Sequence, residues 1–108
     1  MSKNNCQVIF CTCPNIEVAR ELARGLVAGG AATCVNIIAG VESIYRWRGK
    51  TELGAESLLV IKTAAARYAE VEAYIQQHHP YELPEVIAVP IEAGAAGYLS
   101  WLIHPENN

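Results

Sequence analysis

The chain has 108 residues, a length that predicts a single domain spanning residues 1–108. Its 11 acidic and 8 basic side chains give a formal net charge of −3, which argues against general nucleic-acid binding because that function needs a basic surface. No segment reaches the roughly 18 apolar residues that span a membrane, and the polar start Met1–Asn5 is unlike a secretory signal, so we expect a soluble cytoplasmic protein with no nucleic-acid or membrane partner.

The first quarter of the chain predicts a buried strand followed by an amphipathic helix. Gln7–Thr12 is short and almost wholly apolar, which is typical of a buried strand. Pro14 interrupts this pattern, and Asn15 is a suitable N-cap for the helix that follows. Apolar residues recur at helical spacing up to about Ala28, and Gly29–Gly30 is expected to end the helix.

Two unusually long strands are predicted in the middle of the chain. Ala32–Trp47 and Thr51–Thr63 are rich in β-branched and aromatic residues, and a tight turn at Arg48–Lys50 joins them. Each is more than twice the typical strand length of about 5–6 residues. Gly40 and Gly54 indicate a bend or bulge in each arm. A small domain cannot cover a hairpin this long, so its far half is expected to pair with another chain.

The second half of the chain repeats the order of helix and strand. Ala64–His78 predicts a helix that ends before a proline, and His79, which precedes that proline, is expected to be extended. Glu85–Glu92 predicts another strand, and Pro90 within it indicates an edge position or a bulge. Tyr98–Ile103 predicts a short helix or turn, followed by a polar tail.

The order strand, helix, strand, strand, helix, strand predicts an α+β fold of the ferredoxin-like (βαββαβ) kind. Both helices would cover one face of a four-stranded antiparallel sheet, with a long central hairpin and a short C-terminal helix. The other face must then meet something else. Hydrophobic residues make up 52% and charged residues only 18%, against about 25% charged in ordinary domains. Abundant alanine would account for part of this excess, but together with the hairpin it favours an oligomer.

No enzyme signature is present, since the chain lacks a GxSxG elbow, a GxGxxG loop and a Walker loop, so we expect no catalysis. The first candidate for chemistry is a soft-metal site, because Cys11, Cys13, His78 and His79 offer thiolate and imidazole groups that suit copper and zinc. However, their spacing matches no accepted metal motif, and helical neighbours point about 100° apart. The alternative is a small buried thiol beside histidines that cap a helix C-terminus.

Two further clusters have simpler interpretations. The turn Arg46–Lys50 groups three cations around Trp47 and could hold an anion or stack on a base, although a solvated turn paired with nearby glutamates is the alternative. Cys34 is expected to be a core thiol. Tyr98 and Trp101 are expected to form an aromatic clamp that closes the core or an interface.

Several segments of the chain carry motifs that are specific in combination. They are Ala32–Ile37, Ser43–Lys50, Leu58–Thr63, His79–Ile87 and Tyr98–Leu102. The most specific parts are the Tyr-x-Trp-x-Gly-Lys turn and the His-Pro-Tyr-x-x-Pro loop. In this order and spacing, and covering nearly the whole chain, the motifs resemble the divalent-cation tolerance protein family, CutA.

The resemblance implies a ferredoxin-like subunit in a tightly packed homotrimer whose long strands pair between subunits. Some family members are described as binding copper through a cysteine at the end of the first strand and the two residues before the proline of the loop. Those positions are Cys11, His78 and His79 here, whereas Cys13 is not part of the pattern. The resemblance therefore implies a protein that binds divalent metal ions, copper above all, and contributes to metal tolerance.

The resemblance also implies two alternatives. The CutA architecture is similar to the PII-type signalling trimers, which bind small effectors at clefts between subunits. In such a protein a small anion or metabolite would be bound, and Arg46, Arg48 and Lys62 would matter more than the thiols and histidines. A scaffold that anchors a partner protein is the other alternative.

Overall fold

The computed structural model describes residues 5–107, so residues 1–4 and 108 of the predicted single domain lie outside it, and that boundary stays a prediction. The strands and helices follow the predicted order, with two short 3₁₀ turns added at 65–67 and 105–107. The elements are β1 (Cys6–Cys13), α1 (Ile16–Ala28), β2 (Cys34–Trp47), β3 (Lys50–Ala64), α2 (Tyr68–His78), β4 (Ile87–Pro90) and α3 (Ala96–Ile103).

The four strands form one sheet in the order β2-β3-β1-β4, and every neighbouring pair is antiparallel. This arrangement, with its helices, confirms the α+β ferredoxin-like fold. β4 lies at an edge, which is where a strand that contains Pro90 can be accommodated. It covers only four residues, so the predicted strand Glu85–Glu92 was too long.

The core lies between α1, α2 and the sheet face formed by alternate residues of β1 and β3. Ile9 on β1 opposes Ile61 on β3, and both side chains are fully buried. Because successive side chains of a strand point to opposite faces, the whole alternating set reaches the helices. The main helical contributors to this core are Leu22, Leu26, Val71 and Ile75.

The start of α1 has the N-cap that the sequence predicts. Asn15 is extended, and its side-chain Oδ1 accepts a 2.8 Å hydrogen bond from the backbone N–H of Val18. This bond satisfies one of the N–H groups that have no partner within the first turn of a helix. Glu17 in the first turn adds favourable charge.

Substitution of Asn15 by alanine is expected to lower the free energy of unfolding by about 1 kcal/mol, because the N–H of Val18 then loses its partner. Urea denaturation followed by circular dichroism, at one fixed protein concentration, measures the loss. Asn15→Asp keeps an accepting oxygen and should stay close to the wild type. Equal destabilisation by both variants would show that the side chain acts through something other than the cap.

The long hairpin has one irregularity, at Gly40. The pairing of β2 with β3 shifts register between Ile38 and Val41, and Gly40 there has φ 77°, a left-handed conformation that favours glycine. At Gly54 the register is regular, so no bulge forms there. The sequence therefore located one bulge correctly and indicated a second that is absent.

The far half of the hairpin extends beyond the rest of the sheet. β1 pairs with β3 only between residues 57 and 64, so residues 50–56 pair with β2 alone within residues 5–107. Ile44 and Leu53 oppose each other on this part, and their side chains are 72% and 67% exposed. The hairpin thus presents open strand edges and an apolar pair to solvent, features that favour pairing with another chain.

Candidate metal centre

Two thiols and one imidazole come together where β1 ends. Cys11 and Cys13 are alternate residues of β1, so both point to the core face, and neither is exposed. His79 follows α2, has the extended backbone expected before Pro80, and is 8% exposed. The ligand atoms of these residues all lie within 4.8 Å of one another. Of the four candidate ligands named from the sequence, the structure therefore brings Cys11, Cys13 and His79 together, although the family resemblance did not include Cys13.

Both ring nitrogens of His79 already have hydrogen-bond partners. The backbone N–H of Tyr81 donates to Nδ1 at 3.1 Å, which requires that Nδ1 carry no proton. Nε2 then carries the proton and donates to the backbone carbonyl of Thr12 at 2.8 Å. The Tyr81 ring lies over the imidazole, with 4.6 Å between the ring centroids. These contacts fix the ring beside the thiols, and a metal at His79 would have to replace one of them.

The two thiols influence each other's protonation. Their shared hydrogen bond is the largest cause of both shifts, raising the pKa of Cys11 and lowering the pKa of Cys13. Burial, the Cys13 charge and the carboxylates of Glu85 and Glu56 raise the pKa of Cys11 further. The pair therefore loses a first proton more easily than a second.

Two carboxylates that the sequence did not connect with the site lie beside the thiol–imidazole group. The hydroxyl of Thr12 donates to Glu85 at 3.3 Å, and the hydroxyl of Tyr81 donates to Glu56 at 2.6 Å. Glu85 follows the His-Pro-Tyr-x-x-Pro loop directly, which is a signal that could have found it. Glu56 lies on β3 and has no comparable signal.

A groove of about 900 Å³ adjoins these two carboxylates. Its wall includes aromatic side chains of the hairpin and of the loop after α2, but its ionisable side chains are almost all acidic. An acidic wall favours a cation over an anion. The acidic residues in the wall are Glu42, Glu56, Glu82 and Glu85.

His78 is not part of the thiol–imidazole group. Its ring is exposed, stacks on Tyr74 with 4.0 Å between centroids, and places Nδ1 2.9 Å from the carbonyl oxygen of Tyr74. It lines a separate cleft of about 470 Å³, which also includes Leu22 of α1. Val71 and Ile75 of α2 are buried, whereas His78 at the end of the same helix is exposed.

The other predicted clusters have structural roles. Arg48 pairs at 3.3 Å with Glu82 and lies 5.4 Å from the centre of the Trp47 ring, and both ionic side chains are exposed. An exposed pair of this kind contributes little to stability, as expected of a solvated turn. Cys34 is half-buried and lies outside the core, contrary to the prediction.

The aromatic clamp at the end of the chain is present. The rings of Tyr98 and Trp101 lie 5.5 Å apart, and Leu102 beside them is fully buried.

Within residues 5–107, no helix has both the length and the apolar character needed to cross a membrane.

Comparison with known proteins agrees with the fold and the motifs. A CutA homolog from Xenopus laevis is 47% identical over 93 residues, which cover 86% of this chain and 62% of that protein. The divalent-cation tolerance protein CutA of Thermus thermophilus is 42% identical over 96 residues, which cover 89% of this chain and 93% of that protein. A solved structure of the divalent cation tolerance protein from Thermus thermophilus matches with a TM-score of 0.89 at 41% identity, and covers 91% of this chain and 95% of that one.

The chain thus spans less than two thirds of the Xenopus protein but nearly all of the bacterial one. The names of the family model and of the Thermus thermophilus relative describe tolerance towards divalent cations rather than a catalysed reaction. The family model for the CutA1 divalent ion tolerance protein matches residues 7–104, which is nearly all of the described chain. Sequence, fold and motifs agree, and the chain belongs to the CutA1 divalent ion tolerance protein family.

Proposed function

We propose that the protein binds divalent metal ions, copper above all, as a cytoplasmic homotrimer that contributes to metal tolerance and catalyses no reaction. The observation that carries the proposal is the buried group of Cys11, Cys13 and His79, whose ligand atoms lie within 4.8 Å of one another. Thiolate and imidazole are the ligands that copper and zinc prefer. The family name supplies the link to tolerance.

The spacing of the donor atoms fits a metal ion. Metal–sulfur and metal–nitrogen bonds of about 2.0–2.3 Å place two ligand atoms at most about 4.6 Å apart. Three ligand atoms spread evenly around one ion would lie about 3.5–4.0 Å apart, so from the upper limit of 4.8 Å the donors must move closer by up to about 1 Å. His79 must give up one hydrogen bond, to Thr12 or to Tyr81, and replacing such a bond costs roughly 0.5–1.5 kcal/mol. Cys11 would bind through its sulfur, and bound copper would be held as cargo.

The homotrimer and the cytoplasmic location have separate support. The open edges and exposed apolar pair of the hairpin fit strand pairing between subunits. Cys11, Cys13 and Cys34 form no disulfide bond, which suits a reducing compartment. A PII-like site for a small anion has less support, because the groove wall is acidic and Arg48 is already paired with Glu82. No contact within residues 5–107 favours a scaffold role over metal binding.

Calorimetric titration with Cu(II), under anaerobic conditions, tests the site. Cys11→Ser and His79→Ala are expected to weaken copper binding by at least about tenfold, because each removes a donor. His78→Ala is the matched control, and it should bind copper as the wild type does, since His78 stacks on Tyr74 outside the group. Circular dichroism checks that each variant is folded.

Two results would contradict the proposal in different ways. Equal and weak copper binding by the wild type, Cys11→Ser and His79→Ala would remove the metal site altogether. A loss in His78→Ala as large as that in His79→Ala would instead return His78 to the ligand set that the sequence predicts.

A further inference from the structure

We propose that Cys13 supplies a second sulfur ligand beside Cys11, and that this sulfur pair makes the site bind monovalent Cu(I) more tightly than it binds divalent ions. The inference rests on the proposed function, in which the group binds copper. Cys13 stands outside the copper-binding pattern that the sequence resembles, so this ligand goes beyond what the resemblance implies. Its basis is the position, number and burial of the donor atoms.

The backbone holds the two sulfurs on one side of β1. Cys11 pairs with Leu59 and Cys13 with Ser57 across the ladder to β3, so the register fixes both residues on the core face. β4 pairs with β1 only from Gln7 to Phe10, and beyond that point the His79 imidazole bonds to the carbonyl of Thr12, between the two cysteines. The ring therefore stands next to both thiols.

The number and type of donor atoms suit Cu(I) better than they suit zinc or Cu(II). Structural zinc sites almost always have four tetrahedral ligands, and catalytic sites fill the fourth position with water. Only three donors converge within the described residues, both thiols are fully buried, and the imidazole is nearly so. Cu(II) favours square-planar or tetragonal sites of nitrogen and oxygen, whereas soft thiolate ligands select Cu(I). A dry site with two sulfurs and one nitrogen therefore matches Cu(I).

The contacts of the thiols are also weaker than those of the imidazole, because thiol groups are weak hydrogen-bond donors and acceptors. The Sγ atom of Cys11 lies 3.8 Å from the carbonyl oxygen of Thr12, a weak contact, whereas both nitrogens of His79 are hydrogen-bonded. Two of the three metal bonds can therefore form at the thiols, and only the third requires His79 to give up one of its hydrogen bonds. Binding is then a ligand exchange in which Cu–S bonds form and thiol protons pass to solvent, with no electron transfer.

The test measures Cu(I) affinity by competition with the chelator bathocuproine disulfonate, with ascorbate present and oxygen excluded. Cys13→Ser is expected to lose at least about tenfold in Cu(I) affinity while its calorimetric Cu(II) affinity changes less than about threefold. Cys34→Ser is the matched control, because Cys34 is a free thiol outside the group, and it should keep wild-type affinity for both ions. Wild-type protein should bind Cu(I) more tightly than Zn(II).

X-ray absorption of the wild-type Cu(I) complex counts sulfur neighbours without any substitution, so the inference stays testable if Cys13→Ser fails to fold. Two sulfurs per copper would support the inference. One sulfur, unchanged Cu(I) affinity in Cys13→Ser, or tighter binding of Zn(II) would overturn it and leave the proposed function standing. Failure of the wild type to bind either copper ion would overturn both.

Discussion

Replacement of both Ile44 and Leu53 by glutamate is expected to convert the proposed homotrimer into folded monomers. The two side chains oppose each other on the far half of the hairpin and are 72% and 67% exposed in the isolated subunit. If another subunit covers them, the variant buries unpaired carboxylates at the interface, which is strongly unfavourable. Within one subunit the same carboxylates stay in water, so the fold should survive.

Light scattering coupled to size-exclusion chromatography measures the change. The mass should fall from three times 11.7 kDa in the wild type to 11.7 kDa in the double variant, with an unchanged circular dichroism spectrum. Val27→Glu is the control, because Val27 is an exposed apolar residue of α1 and not of the hairpin, and it should leave the mass unchanged. A wild type that runs as a monomer, or a double variant that keeps its full mass, would contradict the homotrimer.

Local signals explain why most of the fold could be predicted. Asn15 and the glycines after Ala28 mark the ends of α1 through their own backbone chemistry, and the observed helix begins and ends where they indicate. Pro90 likewise indicated that β4 lies at an edge of the sheet, because proline has no backbone N–H to donate to a neighbouring strand. Such features depend on a few adjacent residues, so a sequence shows them directly.

The candidate site depends on contacts between distant segments, and only part of it could be predicted. Donor chemistry named Cys11, Cys13, His78 and His79 as candidates, and the resemblance kept all but Cys13, but spacing alone did not show which of the four converge. That depended on β1 running one residue beyond the predicted Thr12, which keeps Cys13 in the alternating pattern. His78 could not be placed, because the turn of the chain before Pro80 decides which of two adjacent histidines faces β1.

Substitution of Leu59 by alanine is expected to lower the free energy of unfolding of the subunit by about 2–5 kcal/mol, the range seen when a fully buried leucine loses its side chain. Leu59 lies opposite Cys11 on the core face, where α1 and α2 cover the sheet. Unfolding of an oligomer depends on protein concentration, so the measurement belongs in the monomeric Ile44→Glu/Leu53→Glu background. Urea denaturation gives the difference directly.

Leu83→Ala in the same background is the matched control. That leucine is 73% exposed in the loop after α2, so its loss should lower the free energy of unfolding only slightly. A loss below about 1 kcal/mol for Leu59→Ala would show that the core closes over the missing side chain.

The Leu59→Ala variant also tests how the core supports the metal site. Copper should stabilise Leu59→Ala and its parent by equal amounts if Cys11 keeps its position, since stabilisation by a ligand depends only on its affinity and concentration. A smaller increment in the variant would mean that Leu59 packing holds the Cys11 sulfur in place for metal binding.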